Sequence, residues 1–153
     1  MRVETVRFEK FTLLIDGIHK SIHKIKIDTA PTLGIKSVHV FWLYKLMQHP
    51  DGLTAAEIAE LSMIDRSLVS REIASLKKGG YVEAVDGDNN KRGYNVRLTL
   101  TENGKELAEK IYAIVKDVQA RVNYDISEEE LCSFYKTLEK LYDNFNSLTE
   151  NND

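Results

Sequence analysis

The side chains with the clearest chemical promise lie between residues 66 and 92. At about 100° per residue, a helix over 66–78 puts Val69, Ile73 and Leu76 in one narrow arc and Ser67, Ser70, Arg71, Ala74 and Lys78 on the opposite side. Small side chains let a helix sit deep in a DNA major groove. Serine hydroxyls can bond bases or phosphates, and an arginine can fork onto guanine. An ordinary solvated helix face more often pairs Glu with Lys. With the basic and hydroxyl residues beside them, the candidate DNA contacts on this helix are Arg66, Ser67, Ser70, Arg71, Ser75, Lys77 and Lys78. A second set follows in Asp86-Gly87-Asp88-Asn89-Asn90-Lys91-Arg92-Gly93. At a hairpin tip, Lys91 and Arg92 can reach a minor groove, where a narrow groove concentrates negative potential, and Asp88 can pair with Arg92 and hold it extended. Phosphate neutralisation is expected from Lys77, Lys78, Lys91, Arg92 and Arg97. A polar tip guarding a strand edge is the plainer reading of the same loop, and the helix just before it favours the DNA reading.

Other residues offer weaker chemistry. His19 and His23 stand four apart, a spacing that can chelate a metal, but no cysteine or carboxylate set accompanies them, so a solvent-exposed pair flanked by lysines is expected and no metal site is assigned. Cys132, the only cysteine, excludes an intrachain disulfide and a cysteine-rich zinc site, and a lone helical cysteine is usually a small buried apolar group. His39, Phe41, Trp42 and Tyr44 lie at helical spacing and either line a pocket for a small effector or form plain core. There is no glycine-rich phosphate loop, nucleophile elbow or HExxH motif, so neither an enzyme nor a cofactor is expected.

The elements that must hold these residues follow from spacing and punctuation. Proline and glycine number 2 and 8, which suits a mainly helical chain. Phe8, Phe11, Ile15, Ile18, Ile22 and Ile25 describe a long amphipathic helix over about 4–26, broken by Thr29–Gly34. A helix over about 36–48 ends at the turn His49-Pro50-Asp51-Gly52. Thr54-Ala55-Ala56-Glu57 reads as a capping box for a short helix, and Asp65 as the N-cap of helix 66–78, which Gly79-Gly80 stops. Strands are expected over 81–85 and 94–100, with Val96, Leu98 and Leu100 on one face. Thr101 caps a helix over about 102–123, and Ser127 with Glu130 boxes the start of another that runs to about 147, before a polar, frayed tail at Thr149–Asp153. The fold class is therefore mainly α with a small antiparallel β-hairpin: a winged helix-turn-helix lobe over 36–100, flanked by long helices at 4–30 and 102–147, in one domain of 153 residues.

Net charge is −3, an unpromising sum for a partner of nucleic acid. The sum hides a segregation, because residues 62–97 hold 7 Lys/Arg against 5 Asp/Glu while residues 102–153 hold 6 against 12. Such a field can point a basic face at phosphates while the rest stays acidic. No apolar run spans a membrane and the N-terminus has no secretory pattern, so a cytoplasmic protein is expected. The apolar stripes of the long terminal helices exceed what the central lobe can cover, and a two-fold partner is the usual cover.

Residues of about 35–110 resemble the multiple antibiotic resistance regulator (MarR) family of bacterial winged-helix transcription factors. The resemblance rests on LTAAEIAELSMIDRSLVSREIASLKKGGYVEAV, on the wing DGDNNKRGYNVRLTLTENGKEL with Asp88 four before Arg92, and on Leu98-Thr99-Leu100-Thr101-x-x-Gly104. It implies a homodimer with interleaved first and last helices, binding a palindromic operator on double-stranded DNA, usually as a repressor relieved by a small molecule (an aromatic or phenolic effector among them), a metal or an oxidant. By the same resemblance Arg92 enters the minor groove, and Ser67, Ser70 and Arg71 sit where recognition contacts are made. Asn89-Asn90 departs from the family's more acidic or proline-bearing wings. The competing reading is a winged-helix adaptor for protein partners that has no DNA binding.

Overall fold

The computed structural model describes residues 3–85 and 96–150. In chain order the elements are α1 (Val3–Thr29), a 3-10 turn (Ala30–Leu33), α2 (Ser37–Gln48), β1 (Leu53–Thr54), α3 (Ala55–Ser62), α4 (Arg66–Lys78), β2 (Val82–Ala84), β3 (Arg97–Leu100), α5 (Glu102–Val122) and α6 (Glu128–Glu150). The chain divides into two compact units, Met1–Ile114 and Val115–Asp153, with α5 running through the boundary.

In the first unit, α1 extends beyond the expected 4–26 until Pro31 opens the 3-10 turn, which Gly34 closes at φ +70. Lys36 precedes α2, whose Trp42, Leu43 and Leu46 are buried. At the end of the following turn Gly52 has φ +83, and a Cβ there would stand 2.6 Å from the Leu98 carbonyl oxygen, so only glycine fits. That close approach lets Leu53–Thr54 pair with β3. The sheet is therefore three antiparallel strands in the order β1-β3-β2, where the sequence suggested only a hairpin. Its register sets Leu53 opposite Leu98, Val82 opposite Leu100 and Ala84 opposite Leu98. Leu98 and Leu100 are buried, as alternation requires of a half-covered strand.

The two helices of the central motif begin as their side chains dictate. Thr54 Oγ1 accepts from the Glu57 amide at 3.1 Å, and Glu57 Oε2 accepts from the Thr54 amide at 2.7 Å, closing a capping box. Asp65 accepts from the Ser67 amide at 2.7 Å and starts α4. Between them Met63 takes the left-handed conformation at φ 54, which turns the chain from α3 to α4. Helix α4 packs on α3 and β2 through Val69, Ile73 and Leu76, all buried. Each such side chain contributes roughly 1.5–3 kcal/mol on leaving water.

Thr101 starts α5 in two ways. Its hydroxyl accepts from the Gly104 amide at 3.1 Å and donates to the Gly80 carbonyl at 2.5 Å, tying the helix to the end of α4. Gly104 has no room for a side chain, since a Cβ would lie 2.0 Å from the Tyr81 carbonyl oxygen. The Thr101-x-x-Gly104 spacing thus serves a cap and a close crossing together.

In the second unit, Ser127 and Glu130 form the expected box, with bonds of 2.8 and 3.2 Å between their amides and side chains. Helix α6 continues through Thr149 to Glu150, past the boundary expected at 147. Cys132 is exposed on it rather than buried, with Sγ 3.9 Å from Glu128 Oε1. No helix among the described residues is long and apolar enough to cross a membrane.

Candidate nucleic-acid interface

Helix α4 carries the candidate contacts that fall within the described residues. Val69, Ile73 and Leu76 hold one side in the core, so the side chains of Arg66, Ser67, Ser70, Arg71, Ala74, Ser75, Lys77 and Lys78 stand exposed. The outer face is therefore short hydroxyl and methyl groups with long cations at both ends and Arg71 between them. The exposed hydroxyls do not all have the same freedom. Ser67 donates its hydroxyl hydrogen to Asp65 Oδ1, so it helps cap α4 and keeps only acceptor capacity for a ligand. That hydroxyl, followed by the backbone amides, holds the Asp65 carboxyl below its ordinary range and keeps it ionised at the helix start. The remaining candidates, Asp88, Lys91 and Arg92, lie outside the described residues.

At the start of β3, Arg97 is engaged with protein. Its Nε donates to the Asp51 carbonyl at 3.1 Å, its Nη2 to the Gly52 carbonyl at 2.5 Å, and its Nη1 stands 3.6 Å from Glu57 Oε1. Arg97 thus ties β3 to the turn before β1 and to the first turn of α3.

Spacing did not reveal how α4 is braced. Glu72 reaches back from it to the start of α2, where Lys36 Nζ donates to Oε1 at 2.9 Å and His39 Nε2 lies 2.8 Å from Oε2. The Lys36 bond is the main reason the Glu72 carboxyl is held below its ordinary range. Burial pushes the His39 imidazole below its ordinary 6.5, against the pull of the Glu72 carboxylate. A neutral ring donating from Nε2 suits this bond. The signal available in the sequence was that Glu72, a carboxylate, falls at the margin of the buried arc on an otherwise basic helix.

The four aromatic candidates of α2 do not all line one cleft. His39 is turned to Glu72, and Tyr44 stacks on Tyr112 with ring centroids 6.3 Å apart. Phe41 and Trp42 do share an open cleft of about 370 Å³ with His23, Lys26, Ser62 and Met63. Trp42 Nε1 and Ser62 Oγ are buried polar atoms without a hydrogen-bond partner in the structure. Lys26 and Lys45 place their ammonium groups 5.9 and 5.6 Å from the Phe41 ring centre, within cation–π range. His19 and His23 are exposed, and among the described residues no group of three or more His, Cys, Asp or Glu could hold a metal ion.

Residues 33–93 match the MarR family, a stretch that runs from the end of the 3-10 turn to beyond β2. No curated protein matches the chain in sequence. Solved structures with the same fold include a MarR-family transcriptional regulator from Listeria monocytogenes in complex with a 26mer DNA, with 24% identity, 85% of each chain covered and a TM-score of 0.75. A MarR-family transcriptional regulator from Silicibacter pomeroyi matches with 19% identity, covering 94% of this chain and 96% of that one at a TM-score of 0.77. A MarR protein from Peptoclostridium difficile matches with 21% identity, covering 90% and 88% at a TM-score of 0.75.

Proposed function

We propose that this chain, a MarR-family protein by the match over residues 33–93 and by its fold, is a cytoplasmic, homodimeric, sequence-specific DNA-binding transcriptional regulator. The observation that carries the proposal is the outer face of α4, where exposed Ser70, Arg71, Ser75, Lys77 and Lys78 ride on a wholly buried stripe. The Listeria regulator of the same fold was solved on DNA, which supports giving this face the same kind of ligand. Residues 36–100 form the DNA-binding lobe. Arg71, with Ser67 and Ser70, discriminates bases. Lys77, Lys78, Lys91 and Arg92 neutralise phosphates, with Asp88 in the same contact set.

Dimerisation is assigned to 4–30 and 102–147. In the first unit α1 exposes Phe8, Leu13, Leu14, Ile18 and Ile22. In the second, α6 exposes Phe134, Phe145 and Leu148. Faces of this kind need cover, and a second copy of the chain supplies it. Two recognition helices roughly 34 Å apart then read inverted half-sites of a palindromic operator. Bound there, the dimer acts as a repressor. A small aromatic or phenolic effector in the cleft beside Phe41 and Trp42, where Trp42 Nε1 and Ser62 Oγ lack partners, lowers operator affinity by binding the non-operator form of the dimer better.

The test is a salt titration of binding to a fluorescent mixed-sequence duplex. Counterion release from several phosphate contacts should cut affinity about 10³-fold or more between roughly 50 and 200 mM salt. Arg92→Ala should flatten that slope without changing the thermal melt. Absence of saturable binding at low salt overturns the proposal in favour of a protein-binding adaptor.

A further inference from the structure

Burial alone leaves one property of α4 open. The apolar stripe of Val69, Ile73 and Leu76 fixes the helix to the lobe, but apolar burial is non-directional and tolerates a roll about the helix axis. The roll decides where Arg71 and Ser70 point. With side chains extending about 5–6 Å from the axis, a roll of about 20° moves their ends by about 2 Å, more than hydrogen-bond geometry tolerates. Something directional must set it.

We propose that Glu72 is a positioning residue for DNA recognition, setting the roll of α4 through its two-point attachment to the start of α2. The inference rests on the reading of α4 as the recognition helix. Glu72 sits between Arg71 and Ile73, at the edge of the buried stripe, with its side chain 13% exposed. Two residues hold its carboxylate: Lys36 Nζ donates to Oε1 at 2.9 Å and to Oε2 at 3.0 Å, and His39 Nε2 stands 2.8 Å from Oε2. Both anchors belong to the beginning of α2, with Lys36 the residue before its first turn and His39 within it. That helix is itself held by buried Trp42, Leu43 and Leu46, so the attachment runs from the core to the recognition helix. His39 is 4% exposed at its side chain and makes a ring contact with Trp42 at 6.0 Å between centroids, which leaves the imidazole little freedom. Directional bonds from two residues to one carboxylate fix an orientation that three apolar contacts cannot.

The charge of Glu72 makes the proposal separable from plain electrostatics. A carboxylate on a helix facing a polyanion opposes binding, so on charge alone its removal should tighten the complex. Positioning predicts the opposite sign. The experiment compares variants on a duplex recovered by the wild type from random DNA and on a scrambled duplex of the same length. Glu72→Ala should lose about tenfold in affinity for the recovered duplex and stay within about twofold on the scrambled one, because the phosphate-facing lysines are untouched. Glu72→Asp keeps the charge, loses one methylene of reach and should lose at least about fivefold. Glu72→Gln keeps length and an acceptor and should return to within about threefold of wild type.

A second readout needs no DNA. Amide hydrogen exchange across residues 66–78 should quicken in Glu72→Ala while α3 keeps its protection. Wild-type or tighter binding by both Glu72→Ala and Glu72→Asp, or unchanged exchange in α4, overturns the positioning role. Arg71→Ala separates the two ideas. If it weakens binding while the Glu72 variants do not, the recognition helix stands and the brace falls. If Arg71→Ala has no effect, the reading of α4 fails first, and exchange alone then decides the brace.

Discussion

Helices α4 and α6 each carry an apolar stripe, and the two stripes meet different fates. In α4, Val69 is 0% exposed and Leu76 2%, and the opposite face is polar, basic and open. In α6 no described side chain is buried, and Phe134 and Leu148 are 51% and 66% exposed. The first helix has its apolar side satisfied within its own unit, so its outer face is available to a polar ligand. The second leaves its apolar side largely exposed, which is why the proposed function assigns it a protein surface. On that proposal the amphipathic pattern alone does not separate the recognition helix from the assembly helix, and the burial of the stripe does.

The contrast is broken most violently by putting a charge into each stripe. Val69→Asp buries an unpaired carboxylate and should cost about 4 kcal/mol or more, visible as loss of the cooperative melt. Phe145→Asp, on a half-open face, should retain most of the helical circular dichroism and instead convert a two-chain species to a one-chain species in sedimentation. If Phe145→Asp leaves the mass unchanged, α6 is not the assembly surface.

The next effect belongs to the outer face of α4. Arg71→Ala should weaken binding to a selected duplex by about 1–3 kcal/mol, or roughly 5- to 150-fold. Its melt should stay within about 0.5 kcal/mol of wild type, since the side chain is exposed. Arg97→Ala should show the reverse pattern. Removing its bonds to the Asp51 and Gly52 carbonyls should cost about 1–2 kcal/mol of stability, with the salt slope for duplex binding unchanged. A flattened slope would return Arg97 to the phosphate contacts, where its charge alone suggested it belonged.

The smallest effect is one of pH. Burial lowers the His39 pKa in the folded chain, so below pH 6.5 the unfolded chain takes up its proton first. Stability should therefore fall as pH drops below 6.5 towards the lowered value, and the His39 contribution should be constant above it. His39→Gln should flatten this part of the stability profile measured by denaturant titration. An unchanged profile means that other groups govern the acid limb.

Much of the architecture is legible in the sequence, for local reasons. Thr54 with Glu57, Asp65, Thr101 and Ser127 with Glu130 are caps whose partners lie within three residues, so their spacing is sufficient evidence. The stripe of α4 was legible because 3.6-residue periodicity over 13 residues leaves little ambiguity. What escaped depends on distant partners. Strand β1 is two residues long and exists because β3 lies beside it, which no period can announce. Arg97 looked like one more cation for phosphate until the carbonyls of a turn 45 residues away claimed it. The one carboxylate within α4, Glu72, drew no reading from spacing, and its partners Lys36 and His39 lie more than 30 residues away. On α1, Val6, Leu13, Leu14 and Ile27 broaden the exposed apolar surface beyond the expected stripe. Cys132 is open rather than buried because α6 has no buried position among its described side chains.

The central claim, that two copies of α4 are presented together to duplex DNA, is tested most directly by sequencing the fragments that the full chain retains from a pool of random duplexes. The account predicts an enriched inverted repeat whose half-sites are centred about 10 base pairs apart, with Arg71→Ala relaxing the same position in both halves. Retention of an unenriched pool, or enrichment of a single unsymmetrical half-site, would contradict it.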